Sequence, residues 1–163
     1  MIRTAVPDDV PEIVAMIREL AEYEKEPDAA VATEDDLRTA LFGPDPKVFS
    51  HIAEAPGPDG TPATVGFSVW FLNYSTWTGR HGIYLEDLYV RPHARGGGHG
   101  LALLRTLART CVERGYTRLE WSVLDWNEPS IRFYEALGSR PMSEWTVRRL
   151  DGEALASLGS QSP

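Results

Sequence analysis

Apolar residues recur at helical spacing at Val10, Ile13, Val14, Ile17, Leu20 and Ala21, behind the polar start Asp8-Asp9, and predict a helix after a short strand at Ile2–Thr4. Thr33-Glu-Asp-Asp36 has the form of a capping box, with Leu37, Leu41 and Phe42 on one side and Gly43-Pro44 as a stop, so a second, short helix follows. The period then changes. Val48–Glu54 and Val65–Asn73 read as strands, and Pro56-Gly-Pro-Asp-Gly60 between them has the composition of a hairpin connection, which makes the pair antiparallel. Ile83–Val90 alternates bulky apolar and polar residues and ends at Arg91-Pro92. Leu101, Leu104, Ala108 and Cys111, broadened by Leu107, predict the stripe of another helix that Gly115 terminates. Leu119–Leu124 is a further strand, a helix runs from about Ser130 to Leu137 before Gly138, and Trp145–Leu150 is a final strand candidate. The Ser/Gly/Pro-ended tail after about residue 157 is expected to lack fixed structure.

At 163 residues with 42% hydrophobic and 25% charged residues, this pattern describes one α/β domain over residues 1–163, with no repeat and no dividing linker. The longest apolar-rich stretch, Val65–Leu72, falls far short of the roughly 20 residues that span a bilayer, and no signal-like segment precedes Ile2; the chain reads as cytoplasmic, with no membrane partner. Sixteen basic against 24 acidic residues give a net charge of −8, which repels a phosphate backbone and argues against nucleic acid. The same charge suits a cationic small molecule as well as a plain solvated surface. Cys111 is the only cysteine, so an intrachain disulfide and a multi-cysteine zinc site are excluded. His51, His81, His93 and His99 show no metal-ligand spacing, and no metal is expected.

Between the strand at Ile83–Val90 and the following helix stands Arg95-Gly-Gly-Gly-His-Gly100. A strand, a glycine turn and a helix start aim backbone N–H groups and the positive end of a helix dipole at an anion, and phosphate is the natural occupant. Gly96, Gly97, Gly98 and Gly100 remove the Cβ atoms that would block close approach, and Arg95 offsets charge at the mouth. A tight turn with left-handed residues is the plain alternative. A nucleoside-triphosphate loop is disfavoured because Leu101-Ala102 stands where Lys-Ser/Thr is required, and a dinucleotide fingerprint lacks its third glycine at Leu103.

This loop resembles the signature of the GNAT superfamily of acetyl-CoA-dependent N-acetyltransferases. The likeness extends through Tyr74-Ser-Thr-Trp-Thr-Gly-Arg80, Tyr84-Leu-Glu-Asp-Leu-Tyr-Val90, Val123-Leu-Asp-Trp-Asn-Glu-Pro-Ser130 and Phe133-Tyr134-x-x-x-Gly138, and covers most of residues 2–150. Within the superfamily the chain is most similar to the spermidine/spermine (diamine) branch and its thialysine-acetylating relatives. The resemblance implies a mixed, mostly antiparallel sheet splayed open by a bulge near the end of Tyr84–Val90 and flanked by helices. It implies acetyl-CoA as cosubstrate, with its pantetheine arm between that strand and Leu119–Leu124 and held by backbone groups of Leu88, Tyr89 and Val90. The pyrophosphate would lie on N–H groups from Gly96 through Leu101, His99 standing where the family usually has an aliphatic residue; Asn127 and Ser130 match further cofactor positions. Homodimers are usual in the family.

The resemblance also assigns chemistry. Glu86 matches a carboxylate facing the substrate amine, the alternative being a solvent-facing strand residue, and strand alternation sends Asp87 to the opposite face. Tyr134 matches the general acid at the CoA sulfur, the alternative being a core aromatic. Tyr23-Glu24 matches a substrate-binding pair, and Glu144 lies near another substrate-contacting stretch; the acidic run Glu22, Glu24, Glu26 is otherwise a solvated helix end. Trp77 is an aromatic wall for a cation or a packing residue. Cys111, about three turns into its helix, reads as a buried inert thiol, which leaves direct attack of the amine in a ternary complex. The expected activity is N-acetylation of a small cationic amine such as a polyamine or thialysine. A protein or aminoglycoside N-acetyltransferase and a noncatalytic acyl-CoA or nucleotide sensor are the competing readings.

Overall fold

One five-stranded sheet, in the order β1-β2-β3-β4-β5, organises the computed structural model, which describes residues 1–160. Its strands are β1 (Ile2–Thr4), β2 (Val48–Pro56), β3 (Pro62–Ser75), β4 (Arg80–Val90) and β5 (Leu119–Trp121). The first four are antiparallel, and β5 joins β4 in parallel. The helices are α1 (Val10–Tyr23), α2 (Glu34–Phe42), α3 (His99–Arg114), α4 (Glu128–Glu135) and α5 (Gly152–Ser160). Two compact parts divide the chain, Met1–Leu124 with the sheet and the residues from Asp125 onward with α4 and α5.

Within the first part, α1 and α2 cover one face of the sheet. Ile13 and Met16 of α1 and Leu41 of α2 pack with Ile52, Phe67, Val69 and Tyr89, and each fully buried side chain of this size contributes about 1.5–3 kcal/mol. The other face receives α3, whose Leu103 packs on Ala53 and Val65 with Leu88 and Val90 alongside. The buried stripe of α3 is Leu103, Leu104, Leu107 and Cys111, so the expected stripe is rotated: Ala108 is exposed and Leu101 only partly covered. The capping box of α2 forms as expected, the Asp36 N–H donating to Thr33 Oγ1 at 3.2 Å and the Thr33 N–H to Asp36 Oδ2 at 2.9 Å.

Four further sequence expectations change. β5 ends at Trp121 rather than Leu124, because Ser122 onward leaves the sheet; Trp145–Leu150 forms no strand, having no partner strand within its own part of the chain. Of the tail expected to lack fixed structure, residues 158–160 close the helix α5, and 161–163 lie outside the described residues. Glu86 and Asp87 do not simply alternate, for the reason given below.

A polar clamp fixes the chain start on the sheet. Arg3 donates to both Asp9 carboxylate oxygens at 2.7 Å and to Glu54 Oε1 at 2.7 Å, and the Val6 N–H adds a third bond to Asp9. Arg3 thereby holds the Asp9 carboxyl below its ordinary value, so its stabilisation is full above the unfolded value near 4 and is lost as pH falls through the lower folded value. Asp9→Ala is expected to cost about 2 kcal/mol at pH 7, read from urea unfolding; a loss below about 0.5 kcal/mol would show the clamp to be decorative.

Candidate active site

The β3–β4 register carries the central feature. Val69 pairs with Asp87 but Trp70 pairs with Leu85, so Glu86 is an extra residue with no partner across the ladder. This is a β-bulge, and it resets the alternation. Leu88 packs on the α3 side, while Asp87, paired with Val69 and two residues from Tyr89, lies on the α1 side. The sequence does hold a trace of the bulge: Leu85 and Leu88 are three apart where a regular strand would place its inward residues two or four apart.

Three carboxylates meet electrostatically at this bulge. Burial, Glu86 and Glu24 together push the Asp87 carboxyl up from 3.8 to about 6, and burial raises Glu24 as well. Glu24 reaches this place because it ends α1: its N–H donates to Leu20 O at 2.9 Å, and Lys25 turns the chain with a left-handed φ of 67°. Glu86 is exposed, whereas Asp87 and Glu24 are half-buried; Glu22 and Glu26 remain in solvent. Glu24 and Glu86 thus both act on Asp87, the residue that strand alternation had placed on the face opposite Glu86.

Beyond Leu85 the outer edge of β4 is open, since β5 pairs only with Ile83, Tyr84 and Leu85. Leu88, Tyr89 and Val90 lie on the stretch of β4 that β5 does not pair and lead into the glycine turn. There Gly96 and Gly98 take left-handed φ values of 81° and 79°, which a side chain would strain. The N–H groups of Arg95 and Gly97 turn back to Pro92 O and Ala94 O, and Ala102 closes the first helical bond to Gly98 O. His99, Gly100 and Leu101 form the first turn of α3, whose N–H groups lack a carbonyl one turn earlier. The His99 ring leans over Gly97, its Nε2 only 3.1 Å from where a Cβ on Gly97 would stand. A glycine turn held this way, open above Gly96 and Gly98, fits a pyrophosphate.

Trp77 is 89% exposed on the turn between β3 and β4; at a strand rise of 3.4 Å per residue it stands about 20 Å along β4 from Glu86 in the same chain. Cys111 is buried, donates to Arg118 O at 3.5 Å and has its thiol pushed up by burial, which suits an inert role. In the second part of the chain, Asn127 is buried and caps α4 by accepting the Ser130 N–H at 3.4 Å. Tyr134 is half-buried on α4 with its ring 5.3 Å from Phe133, and Glu144 lines a cavity of about 170 Å³ with Arg140, Met142 and Trp145. Among the described residues no His/Cys/Asp/Glu cluster is arranged for a metal, and no helix is long and apolar enough to cross a membrane.

Comparisons with known proteins agree with this architecture. The model of the acetyltransferase (GNAT) family matches residues 12–138. The chain is 40% identical to a thialysine N-epsilon-acetyltransferase of Bos taurus over 99% of its own length and 98% of that protein. It is 32% identical to an L-ornithine N5-acetyltransferase of Arabidopsis thaliana, over 96% of this chain and 86% of that one. Among solved structures, an integron cassette protein from the mobile metagenome of V. cholerae superposes with a TM-score of 0.79 at 26% identity, covering 99% and 98% of the two chains.

Proposed function

The chain belongs to the acetyltransferase (GNAT) family, and on that premise we propose that it transfers the acetyl group of acetyl-CoA to a primary amine of a small, cationic substrate. The observation that carries the substrate class is the meeting of Glu24, Glu86 and Asp87 at the β4 bulge. Asp87, pushed up to about 6 by burial and by the charges of Glu86 and Glu24, is relieved by a bound ammonium group. Relatives named for thialysine and for ornithine support an acceptor that carries two amino groups.

Acetyl-CoA fits the chain as the glycine turn and the open β4 edge present it. The N–H groups of Gly96 and of Gly98 through Leu101 would hold the pyrophosphate, that of Gly97 being turned to Ala94 O, and the backbone of Leu88, Tyr89 and Val90 would hold the pantetheine arm. Asn127 and Ser130 add cofactor contacts. The acetyl thioester supplies the electrophile. A lysine-like amine with a pKa near 10.4 is about 4–5 kcal/mol from neutrality at pH 7, so a proton acceptor is required. Glu86, exposed beside the bulge, takes that proton through water, while Asp87 and Glu24 hold a second ammonium and so orient the first. The nitrogen–carbon bond forms as the carbon–sulfur bond breaks, and Tyr134 donates a proton to the departing thiolate. With Cys111 buried and its thiol pushed up, attack on the thioester is direct. Tyr23 and Glu144 serve as further amine contacts, and a homodimer would let Trp77 serve a second copy.

Release of CoA thiol, with the acetylated product identified by mass, tests this across putrescine, spermidine, thialysine, ornithine, an aminoglycoside and a lysine peptide. A small diamino acceptor is expected to exceed the peptide at least tenfold in kcat/KM, with intersecting initial-rate patterns. Peptide turnover above that of every small amine, or parallel patterns, would overturn the reading.

A further inference from the structure

Arg95 sits one residue before the first left-handed glycine of the loop, and its side chain turns away from the loop to the end of α1. Its guanidinium carbon lies 5.0 Å from the centre of the Tyr23 ring and 5.7 Å from that of Tyr89, and its Nε donates to Val90 O at 2.9 Å. Arg95 forms none of the ion pairs among the described residues. Arg91, four residues earlier, behaves differently: it bonds Glu19 at 2.8 Å, Glu12 and the Thr64 carbonyl, and so fixes the body of α1 to the end of β4. The body of that helix therefore needs no second anchor. What Arg95 adds is a hold on Tyr23, the last residue of α1, next to Glu24.

We propose that Arg95 is a positioning residue that links the cofactor loop to the amine site, its guanidinium bridging the Tyr23 ring to the Tyr89 ring of β4 so that Glu24 is held near Asp87 when the loop is set. A guanidinium over two aromatic faces is held by the ring quadrupoles and by its planar shape, and a fixed Nε bond gives it direction. Movement of the Gly96 turn reaches Glu24 through one side chain. The clasp deepens the proposed acetyl transfer and rests on it for the identity of the two ligands.

Two measurements on the full chain decide it. In hydrogen exchange, the N–H groups of Glu24, Lys25 and Glu26, which bond Leu20 O, Glu22 O and Ala21 O, report the end of α1. Saturating acetyl-CoA should slow their exchange at least threefold in the native protein. In Arg95→Ala they should exchange about tenfold faster and no longer respond to acetyl-CoA, while the core of α1 at Ile13–Met16 stays protected. In kinetics, Arg95→Ala should raise the amine KM about tenfold and the acetyl-CoA KM less than threefold, and Arg95→Lys should recover part of the loss. A raised acetyl-CoA KM with unchanged amine KM would make Arg95 a phosphate ligand and overturn the clasp, as would unaltered exchange at Glu24. Should the native protein acetylate no amine, the proposed reaction falls and the exchange comparison still decides the clasp.

Discussion

Tyr134→Phe is expected to lower kcat about 100-fold or more while changing the acetyl-CoA KM less than threefold. The substitution removes one oxygen and keeps the ring that lies against Phe133 in a half-buried position on α4, so packing is preserved. What disappears, on the proposed mechanism, is the proton for the thiolate. General acid catalysis contributes about 10²–10⁴-fold, and a tyrosine near pKa 10 donates to a thiolate near 8.5 only as charge develops on sulfur. The loss therefore falls on turnover and not on cofactor binding. Steady-state kinetics with acetyl-CoA varied at saturating amine measures it, and turnover within threefold of the native value would remove Tyr134 from the chemistry.

Asp87→Asn is expected to make the protein more stable and a poorer catalyst. The Asp87 carboxyl is raised from 3.8 to about 6 by burial, Glu86 and Glu24. Between those values the folded state binds more protons than the unfolded one, so stability falls as pH rises, and above about 6 the ionised side chain costs about 3 kcal/mol. Asparagine removes that cost. Urea unfolding should show a gain of up to about 3 kcal/mol at pH 8 that shrinks as pH drops through 6 toward 4. The amine then loses one ionised partner, and kcat/KM for a diamine should fall at least tenfold. The native enzyme should show the same dependence, losing amine affinity below about pH 6. Lower stability of the variant at pH 8 would mean that Asp87 makes a favourable bond in the free protein and is not held there for a cation.

These two residues differ in how far the chain alone reveals them. Tyr134 stands in a motif that any reader of Phe133-Tyr134-x-x-x-Gly138 meets directly. Asp87 does not, because a period-two strand sends it away from Glu86, and only the extra residue in β4 brings the pair together. The break in apolar spacing between Leu85 and Leu88 carries that information but looks like a charged insertion until register is known. Helix starts and stops were legible where local chemistry sets them, as at Thr33–Asp36 and Gly115. Trp145–Leu150 shows the converse, since alternation gives a strand only where a neighbouring strand accepts its hydrogen bonds. The side chain of Arg95 escaped because its partner Tyr23 is 72 residues earlier, and long-range pairing of an arginine with an aromatic ring leaves no local mark.

On the proposed function, the bulge at Glu86 builds a site for a second positive charge on the acceptor. The most direct test is kcat/KM for 1,4-diaminobutane against butylamine, which differ by one terminal ammonium, with native protein at pH 8. One charge-assisted contact is worth about 1.5–3 kcal/mol, so a preference of at least tenfold for the diamine is predicted. Equal use of the two amines would contradict the account and leave the three carboxylates without a role in substrate choice.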